Sequence, residues 1–404
     1  EVLPRINPLN PGGQVHPEGN FHFAMAADPT HENVVYVAGD RQPDTQFDEG
    51  LDKIQTAVGA KHFLGRVFRW DGFRWFQIVG KKVAMVGEGA NATAPHADSR
   101  HMVFDSVGSL LEVDDGGISR LESPESDHRL WVSLTPVVHA PNRSLGITEL
   151  RSIALGTSGP AVGVLIGGSQ DNGASSQGGP DRTDWTSLRG GDVPVVQIDS
   201  RPAPIYYSSS DHLKEFRAWT DVDGSGTLNE PPDTVESLDV QVGATSLSAA
   251  DAKLPSTTPF VLNSEAPQRM LIGGSGLWEV TNVNAHAPVS GTRAVDATKR
   301  VDPGAGTFTA LAYGGATVNP TAGTRTSQPD VLYAARGKHL YIRSPGHLVE
   351  EYTIPKTLWG RQIVAIGLDP DDWRTAYVVV DMGGGDNLDR VYKVRATPSG
   401  KPTP

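Results

Sequence analysis

Cysteine is absent from the 404-residue sequence, and long apolar runs and clusters of basic residues are also missing. Without cysteine, disulfides, thiolate nucleophiles and zinc-thiolate sites are excluded. The formal net charge of −12 argues against a surface for nucleic acid or anionic membranes, because phosphate binding depends on clustered lysine and arginine. No apolar run approaches about 18 residues, so we expect no membrane insertion. We also expect a monomer.

Turn-forming residues are abundant instead. The chain contains 45 glycines and 30 prolines, far too many for a helical protein. Between residues 146 and 199, three apolar runs alternate with clusters of Gly, Asp and Asn, in the segments GITELRSIAL, GVLIGGSQDNGASS and DWTSLRGGDVPVVQID. This alternation predicts consecutive short antiparallel strands with no room for a helix between them.

The pattern repeats along the chain. Trp75, Trp131 and Trp185 each mark the final strand of a unit and are 56 and 54 residues apart, which is slightly more than the ~40–50 residues of common four-stranded propeller blades. Seven such units can be counted. The sequence therefore predicts an all-β fold, a seven-bladed β-propeller of four-stranded antiparallel blades. We expect one domain over residues 1–396, with insertions at 40–63 and 220–235 and a C-terminal tail or linker at 397–404.

The last unit shows only three strands, within residues 361–396. We expect residues 1–8 to supply the fourth, so that the N-terminal segment closes the ring and protects the open sheet edges.

Several short sequence segments resemble one superfamily. VDDGGISRL, IGGSQDNGA and RGGDVPVVQID are similar to segments of the BNR/Asp-box β-propellers, which include sialidases, xyloglucan-degrading hydrolases and sortilin-type receptors. The resemblance covers about residues 21–396. It implies a propeller fold, and with it we expect a secreted, extracellular protein, but it does not specify an activity.

Two turns fit the motif of this superfamily. One has the full S-x-D-x-G-x-[ST] pattern, and the other is a partial copy; their residues are Ser169, Asp171, Gly173 and Ser175, and Asp115, Gly117 and Ser119. Asp boxes are usually structural turns in which the carboxylate caps backbone N–H groups. We therefore expect these aspartates to be structural rather than catalytic.

A propeller gathers the residues that precede each innermost strand at one mouth of its channel, where ligands commonly bind. This rule selects two sets of candidates. The predicted ligand-binding residues are His22, His96, His101, Trp359, Arg361 and Gln362. The predicted catalytic residues, should the protein be an enzyme, are Asp98, Glu149 and Asp192.

The segment HADSRH, residues 96–101, is the densest of these groups. In an extended chain His96 and Asp98 point to one side and His101 to the other. The group is compatible with a divalent metal, with general acid–base chemistry, or with hydrogen bonds that tie the second blade to its neighbours. Glycoside hydrolysis needs two facing carboxylates. Sialidase activity is not expected, because the sequence lacks that family's arginine motif.

DVDGSGTLNEPPD, residues 221–233, matches the first half of an EF-hand calcium loop. The twelfth position is Pro232, so the bidentate carboxylate must come from elsewhere in the loop. The predicted calcium ligands are Asp221, Asp223, Ser225, Thr227, Glu230 and Asp233.

The sequence thus favours a secreted, calcium-stabilised propeller that binds an extracellular glycan or protein through the loops of its top face. The alternative is a polysaccharide-degrading glycoside hydrolase that uses carboxylates at the channel mouth. Fold alone does not choose between them.

Overall fold

The computed structural model describes residues 22–41, 64–80, 89–134, 150–179, 185–225, 228, 234–284, 291–353, 362–381, 390–396 and 402–403. In these residues the protein is all-β, and the one α-helix is a single turn, α1, at Leu247–Ala250. No helix within the described ranges has the length and apolar character needed to cross a membrane. The chain falls into two compact units, residues 1–153 with 163–193, and residues 154–162 with 194–404.

Apart from the last two residues of β9, which belong to the second unit, three four-stranded sheets whose strands follow chain order lie in the first unit. Their bounds are β1 Ala24–Ala27, β2 Val35–Arg41, β3 Gly65–Trp70 and β4 Trp75–Gln77; β5 His101–Phe104, β6 Leu110–Asp114, β7 Gly117–Glu122 and β8 Leu130–Ser133; β9 Ser152–Leu155, β10 Leu165–Gly168, β11 Ala174–Gln177 and β12 Trp185–Arg189. Asp71 and Gly72 form the turn of the β3–β4 hairpin, and Oδ1 of Asp71 accepts the N–H groups of Phe73 and Arg74 at 2.9 Å each.

The second unit begins with a nine-stranded sheet. Its strands are β13 Val195–Asp199, β14 Ile205–Ser209, β15 Arg217–Thr220, β16 Thr234–Val242, β17 Thr245–Ser246, β18 Phe260–Leu262, β19 Met270–Gly273, β20 Leu277–Val280 and β21 Gly291–Val301. Two antiparallel four-stranded halves are joined by the parallel pair β16 and β21, while β17 pairs with β16.

Two further four-stranded sheets complete the second unit. The first contains β22 Phe308–Tyr313, then β25 Leu332–Arg336, β26 His339–Arg343 and β27 Glu350–Thr353; between its first two strands the chain inserts the hairpin β23 Ala316–Val318 and β24 Arg325–Ser327. The second contains β28 Gln362–Leu368, β29 Thr375–Asp381, β30 Arg390–Ala396 and β31 Pro402–Thr403.

The fourth strand of this last sheet differs from the expectation. Pro402 and Thr403 pair with Ala396 and Arg395, so residues predicted to be tail form the outer strand. Residues 1–8, the expected source of this strand, lie outside the described residues. A strand that follows β30 after five residues needs far less loop-closure entropy than one nearly 400 residues away, which favours the local pairing.

Packing between sheets explains the repeated tryptophans in part. Trp131 is buried, and its Nε1 donates a hydrogen bond to the carbonyl of Ile78 at 2.8 Å, which joins the second sheet to the first. Trp70 and Trp75 pack with ring centroids 5.3 Å apart across the β3–β4 hairpin. Both sheets share one hydrophobic core, in which Tyr36 and Leu110 are fully buried.

In an antiparallel sheet whose strands follow chain order, the start of the first strand and the turn between the second and third strands lie at the same edge. Loops from neighbouring sheets can therefore meet at this edge. In the first unit they bring together a group of carboxylates.

Candidate carboxylate site

Six acidic and imidazole side chains of the first unit form the carboxylate site. Carboxylate oxygens of Asp98, Asp115 and Asp171 all lie within 4.8 Å of one another. Asp98 also belongs to a second group with the same spacing, together with His22 and Asp40. The sixth member is Asp192, whose Oδ1 accepts the backbone N–H of Asp171 at 3.1 Å.

The five aspartates of the site come from the sheet edge described above. Asp98 and Asp192 precede the first strands β5 and β13, while Asp40 is the next-to-last residue of β2. Asp115 lies in the turn between β6 and β7, and Asp171 lies in the turn between β10 and β11. The site thus combines loops that precede first strands, which were predicted to bind ligand, with turns between second and third strands, whose aspartates were predicted to be structural.

Backbone contacts fix these loops. Asp98 and Asp171 have φ values of +69° and +59°, in the left-handed region that aspartate tolerates better than most residues. The N–H of Ser99 donates to the carbonyl of Gly39 at 3.0 Å and so ties the Asp98 loop to the end of β2. As a result, Asp98 does not continue the extended segment on which the expected orientation of HADSRH depended.

A second set of contacts holds the Asp171 turn. The side-chain amide of Asn172 donates to the carbonyl of Asp115 at 2.6 Å. The N–H of Val193 donates to the carbonyl of Ser169 at 2.8 Å, next to Asp192. The turn therefore contacts both the second sheet and the segment that leads into β13.

Burial and like charge raise two pKa values in this site. Desolvation, followed by the neighbouring Asp40 and Asp115, raises the pKa of Asp98 to about 7. Desolvation, followed by Asp192 and Asp98, raises the pKa of Asp171 to about 8. At neutral pH the carboxylates therefore share at least one proton, and they titrate as a group.

Among the described residues, two nitrogen groups lie beside these carboxylates. Nη2 of Arg100 lies 2.6 Å from Oδ1 of Asp115, and Nδ1 of His22 lies 3.2 Å from Oδ1 of Asp98. Asp98 is only 7% exposed, and its Oδ1 accepts no hydrogen bond with good geometry from the described residues. An oxygen that is buried in this way beside other carboxylates is suited to a cation or a shared proton.

The spacing of the carboxylate oxygens limits which ligands and reactions the site can support. Oxygen atoms that converge within 4.8 Å match the all-oxygen ligand sets that hard cations such as Ca²⁺ prefer. Glycosidase carboxyl groups stand about 5–5.5 Å apart in retaining enzymes and about 6.5–9.5 Å apart in inverting enzymes, with the sugar between them. The closest oxygens of Asp98 and Asp171 lie within 4.8 Å of each other, and this convergence favours cation binding.

The raised pKa values predict how stability depends on pH. The folded protein holds a proton that the unfolded chain releases near pH 4, so this contribution to stability falls as pH rises from about 4 through 8. In calcium-free buffer, Asp171→Asn should therefore be more stable than the wild type at pH 8, by about 1–2 kcal/mol, and should lose that advantage at pH 4. Urea unfolding at the two pH values measures this difference. A variant that is equally or less stable at pH 8 would contradict it.

His96 lies beside the carboxylate site but faces the interior. It is 2% exposed, and its backbone N–H donates to Oδ2 of Asp114 at 3.0 Å. Burial lowers the pKa of the His96 imidazole, so the ring is neutral at physiological pH. Glu112 in β6 is completely buried, accepts a hydrogen bond from Ser99 and has a raised pKa, chiefly because of burial.

Of the remaining predicted site residues, the structure describes His101 and Gln362. His101 is exposed at the start of β5 and belongs to none of the groups with metal-ligand spacing. Gln362 begins β28 in the second unit and is partly buried. Glu149, Trp359 and Arg361 lie outside the described residues.

The predicted calcium loop is described only in its first half. Oδ1 of Asp221 accepts the N–H of Gly224 at 2.9 Å, and Oδ1 of Asp223 accepts the N–H of Ser225 at 2.8 Å. Thr227, Glu230 and Asp233 lie outside the described residues. Among the residues that are described, this loop contributes to no group of three acidic or imidazole ligands. Calcium binding at this loop remains a prediction.

Comparisons with known proteins were made for sequence and for structure. No protein-family model and no curated protein sequence matches the chain. One similar solved structure is the WD40 β-propeller domain of Doa1, with 12% identity and a TM-score of 0.35, covering 91% of this chain and 90% of that chain. Another is the GH74 enzyme of Niastella koreensis, with 14% identity and a TM-score of 0.31, covering 95% of this chain and 54% of that chain. At these values the likeness indicates neither a ligand nor an activity.

Proposed function

We propose that the chain is a secreted seven-bladed β-propeller that binds calcium at the carboxylate site and recognises an extracellular polysaccharide or protein there. Five separate four-stranded sheets and the two four-stranded halves of the nine-stranded sheet supply the seven repeats that this ring needs. Loop-lined sheet edges are where propellers and other rigid β folds commonly carry their ligands.

The observation that carries the proposal is the convergence of Asp98, Asp115 and Asp171 from three separate loops. Bringing buried carboxylates together is unfavourable unless a proton or a cation compensates their charge. A divalent cation would compensate two charges at once and would cross-link the three loops. It would also leave coordination positions for hydroxyl or carboxylate oxygens of a ligand, since Ca²⁺ takes six to eight oxygens.

Calcium titration tests the site directly. Isothermal titration of the wild type at pH 8 should show binding with a Kd of about 1 mM or tighter, the range of extracellular calcium modules. Asp171→Asn should weaken binding at least about tenfold, because it removes one charged oxygen ligand. Affinity should also fall between pH 8 and pH 5.5, where protons compete for the same oxygens.

Asp302→Asn is the matched control, since the Asp302 side chain is 82% exposed and lies in the second unit. It should bind calcium like the wild type. The proposal fails if calcium produces no heat and no rise in melting temperature, or if Asp171→Asn binds as tightly as the control. Asp223→Asn tests the EF-hand-like loop independently of the carboxylate site, because only that variant should lose a second calcium-binding event.

Glycoside hydrolysis is the second candidate function, and the pKa of about 7 at Asp98 favours it, because a carboxyl group that is protonated at neutral pH can act as a general acid. Incubation with a panel of polysaccharides should release reducing sugars if this function is correct. Asp98→Asn should then abolish the release and leave glycan binding largely unchanged. If no sugar is released, binding is favoured over catalysis.

A further inference from the structure

A basic pocket in the second unit stands out in a protein with a net charge of −12. Its volume is about 440 Å³, which lies within the range of small-molecule sites. Four of its lining side chains are cationic or imidazole groups and one is acidic. The lining residues are Lys299, Arg300, Asp330, Arg343, Gly346, His347, Leu348 and Val349.

The arginines are held by a buried anion behind the pocket. Glu279 has no exposed surface and accepts hydrogen bonds from Arg269 at 2.6 Å and from Arg343 at 3.1 and 3.2 Å. Nε of Arg300 and the hydroxyl of Tyr313 also donate to it. These contacts fix the guanidinium groups before any ligand arrives, which lowers the entropy cost of binding.

The positive charge of this cluster exceeds the negative charge. Three arginines share Glu279 and Asp330, the latter through Nη1 of Arg269 at 2.9 Å. Lys299 pairs separately with Asp302, at 2.5 Å. One positive charge is therefore left uncompensated among the described residues. It is best assigned to Arg300, because its only hydrogen bond to a described residue is made through Nε.

Part of the pocket lining is apolar. Leu348 is 86% exposed, an unusual position for a leucine, and Val349 follows it in the segment between β26 and β27. A ligand that fits this lining carries an anionic group and a compact body with some apolar surface. Guanidinium groups match planar carboxylates in a paired, two-point geometry.

We propose that this pocket binds a small organic carboxylate, such as an acidic monosaccharide or a similar hydroxy acid, with Arg300 as the residue that contacts the carboxylate. The proposal does not depend on the carboxylate site, because every residue it uses lies in the second unit. It therefore stands or fails separately from calcium binding.

The probes are glucuronic acid, glucose as its neutral counterpart, and inorganic sulfate, each titrated into the full chain and followed by NMR or calorimetry. Glucuronic acid should bind with a Kd in the millimolar range and glucose at least about tenfold more weakly, since a charge-assisted hydrogen bond contributes about that factor. Arg300→Gln should reduce glucuronic acid binding by about tenfold or more.

Two controls separate the pocket from general charge effects. Arg325→Gln removes the same charge from the second unit, at a side chain that is 50% exposed and paired with Glu265, and it should leave binding unchanged. The melting temperature of Arg300→Gln shows whether the variant is folded. Equal binding of glucose and glucuronic acid overturns the proposal, as does binding of sulfate alone, equal loss in both arginine variants, or no binding at all.

Discussion

Alanine in place of Gly173 should destabilise the first unit by about 3 kcal/mol or more and should also abolish calcium binding at the carboxylate site. Gly173 has a φ of +79°, and a Cβ built there would lie 1.7 Å from the carbonyl oxygen of Arg189. The left-handed backbone alone costs a residue with a Cβ about 1 kcal/mol. The overlap with backbone atoms cannot be relieved by a side-chain rotation, so the turn that carries Asp171 must move.

Gly191 provides the matched control for this prediction. Its φ is +81°, but a Cβ there would meet no atom within 4 Å. Gly191→Ala should therefore cost only the backbone term, about 1 kcal/mol, and should retain calcium binding. Urea unfolding followed by circular dichroism, with calcium titration of both variants, makes the comparison. Equal destabilisation of the two variants would show that the close approach at Gly173 is not what constrains the turn.

The strands could be predicted because their signals are local. Alternating apolar residues and turn clusters such as Asp71–Gly72 mark strands within a few residues of where they form. The outer strand of the last sheet was assigned differently, because Pro402 is a poor strand former and a proline-rich terminus favours a tail. Its pairing beside β30 depends on a neighbouring sheet edge, which no local pattern reveals.

The carboxylate site could be predicted only in part. Asp98 and Asp192 were selected because they precede first strands, and both lie in the site. Asp40, Asp115 and Asp171 were missed, and the two in turns were expected to be purely structural. These residues were missed because the turns between second and third strands lie at the same sheet edge as the starts of first strands, and this geometry was not used in the prediction. Register between separate sheets, which sets the distances among these carboxylates, is not encoded in any short segment.

A structural turn and a place in the carboxylate site are compatible at Asp171. Asp171 adopts a left-handed turn conformation, as a structural aspartate does, and the same turn places its carboxylate beside Asp98. A turn that is rigid for structural reasons is also a good support for a binding site, because its geometry is set before the ligand binds.

Glutamine in place of Glu279 should destabilise the second unit by about 3–5 kcal/mol at pH 7, the cost of removing one partner from a buried ion pair. Three arginines would lose their shared carboxylate. Hydrogen bonds from Arg343, Tyr313 and Arg269 hold the pKa of Glu279 well below its ordinary value of 4.5 against the opposing effect of burial. A lowered pKa means that the stabilisation is present above about pH 4.5 and is lost as the carboxylate protonates in acid.

The difference between wild type and Glu279→Gln should therefore shrink as pH falls from 7 towards 2, when measured by urea unfolding. Glu351→Gln is the matched control, because Glu351 is 49% exposed and pairs with a half-exposed His339 at 2.7 Å. Exposed pairs contribute at most about 1 kcal/mol, so this variant should unfold almost like the wild type. A cost at Glu279 below about 1 kcal/mol would mean that the arginines repel one another less than their geometry implies, and that the basic pocket does not depend on a buried anion.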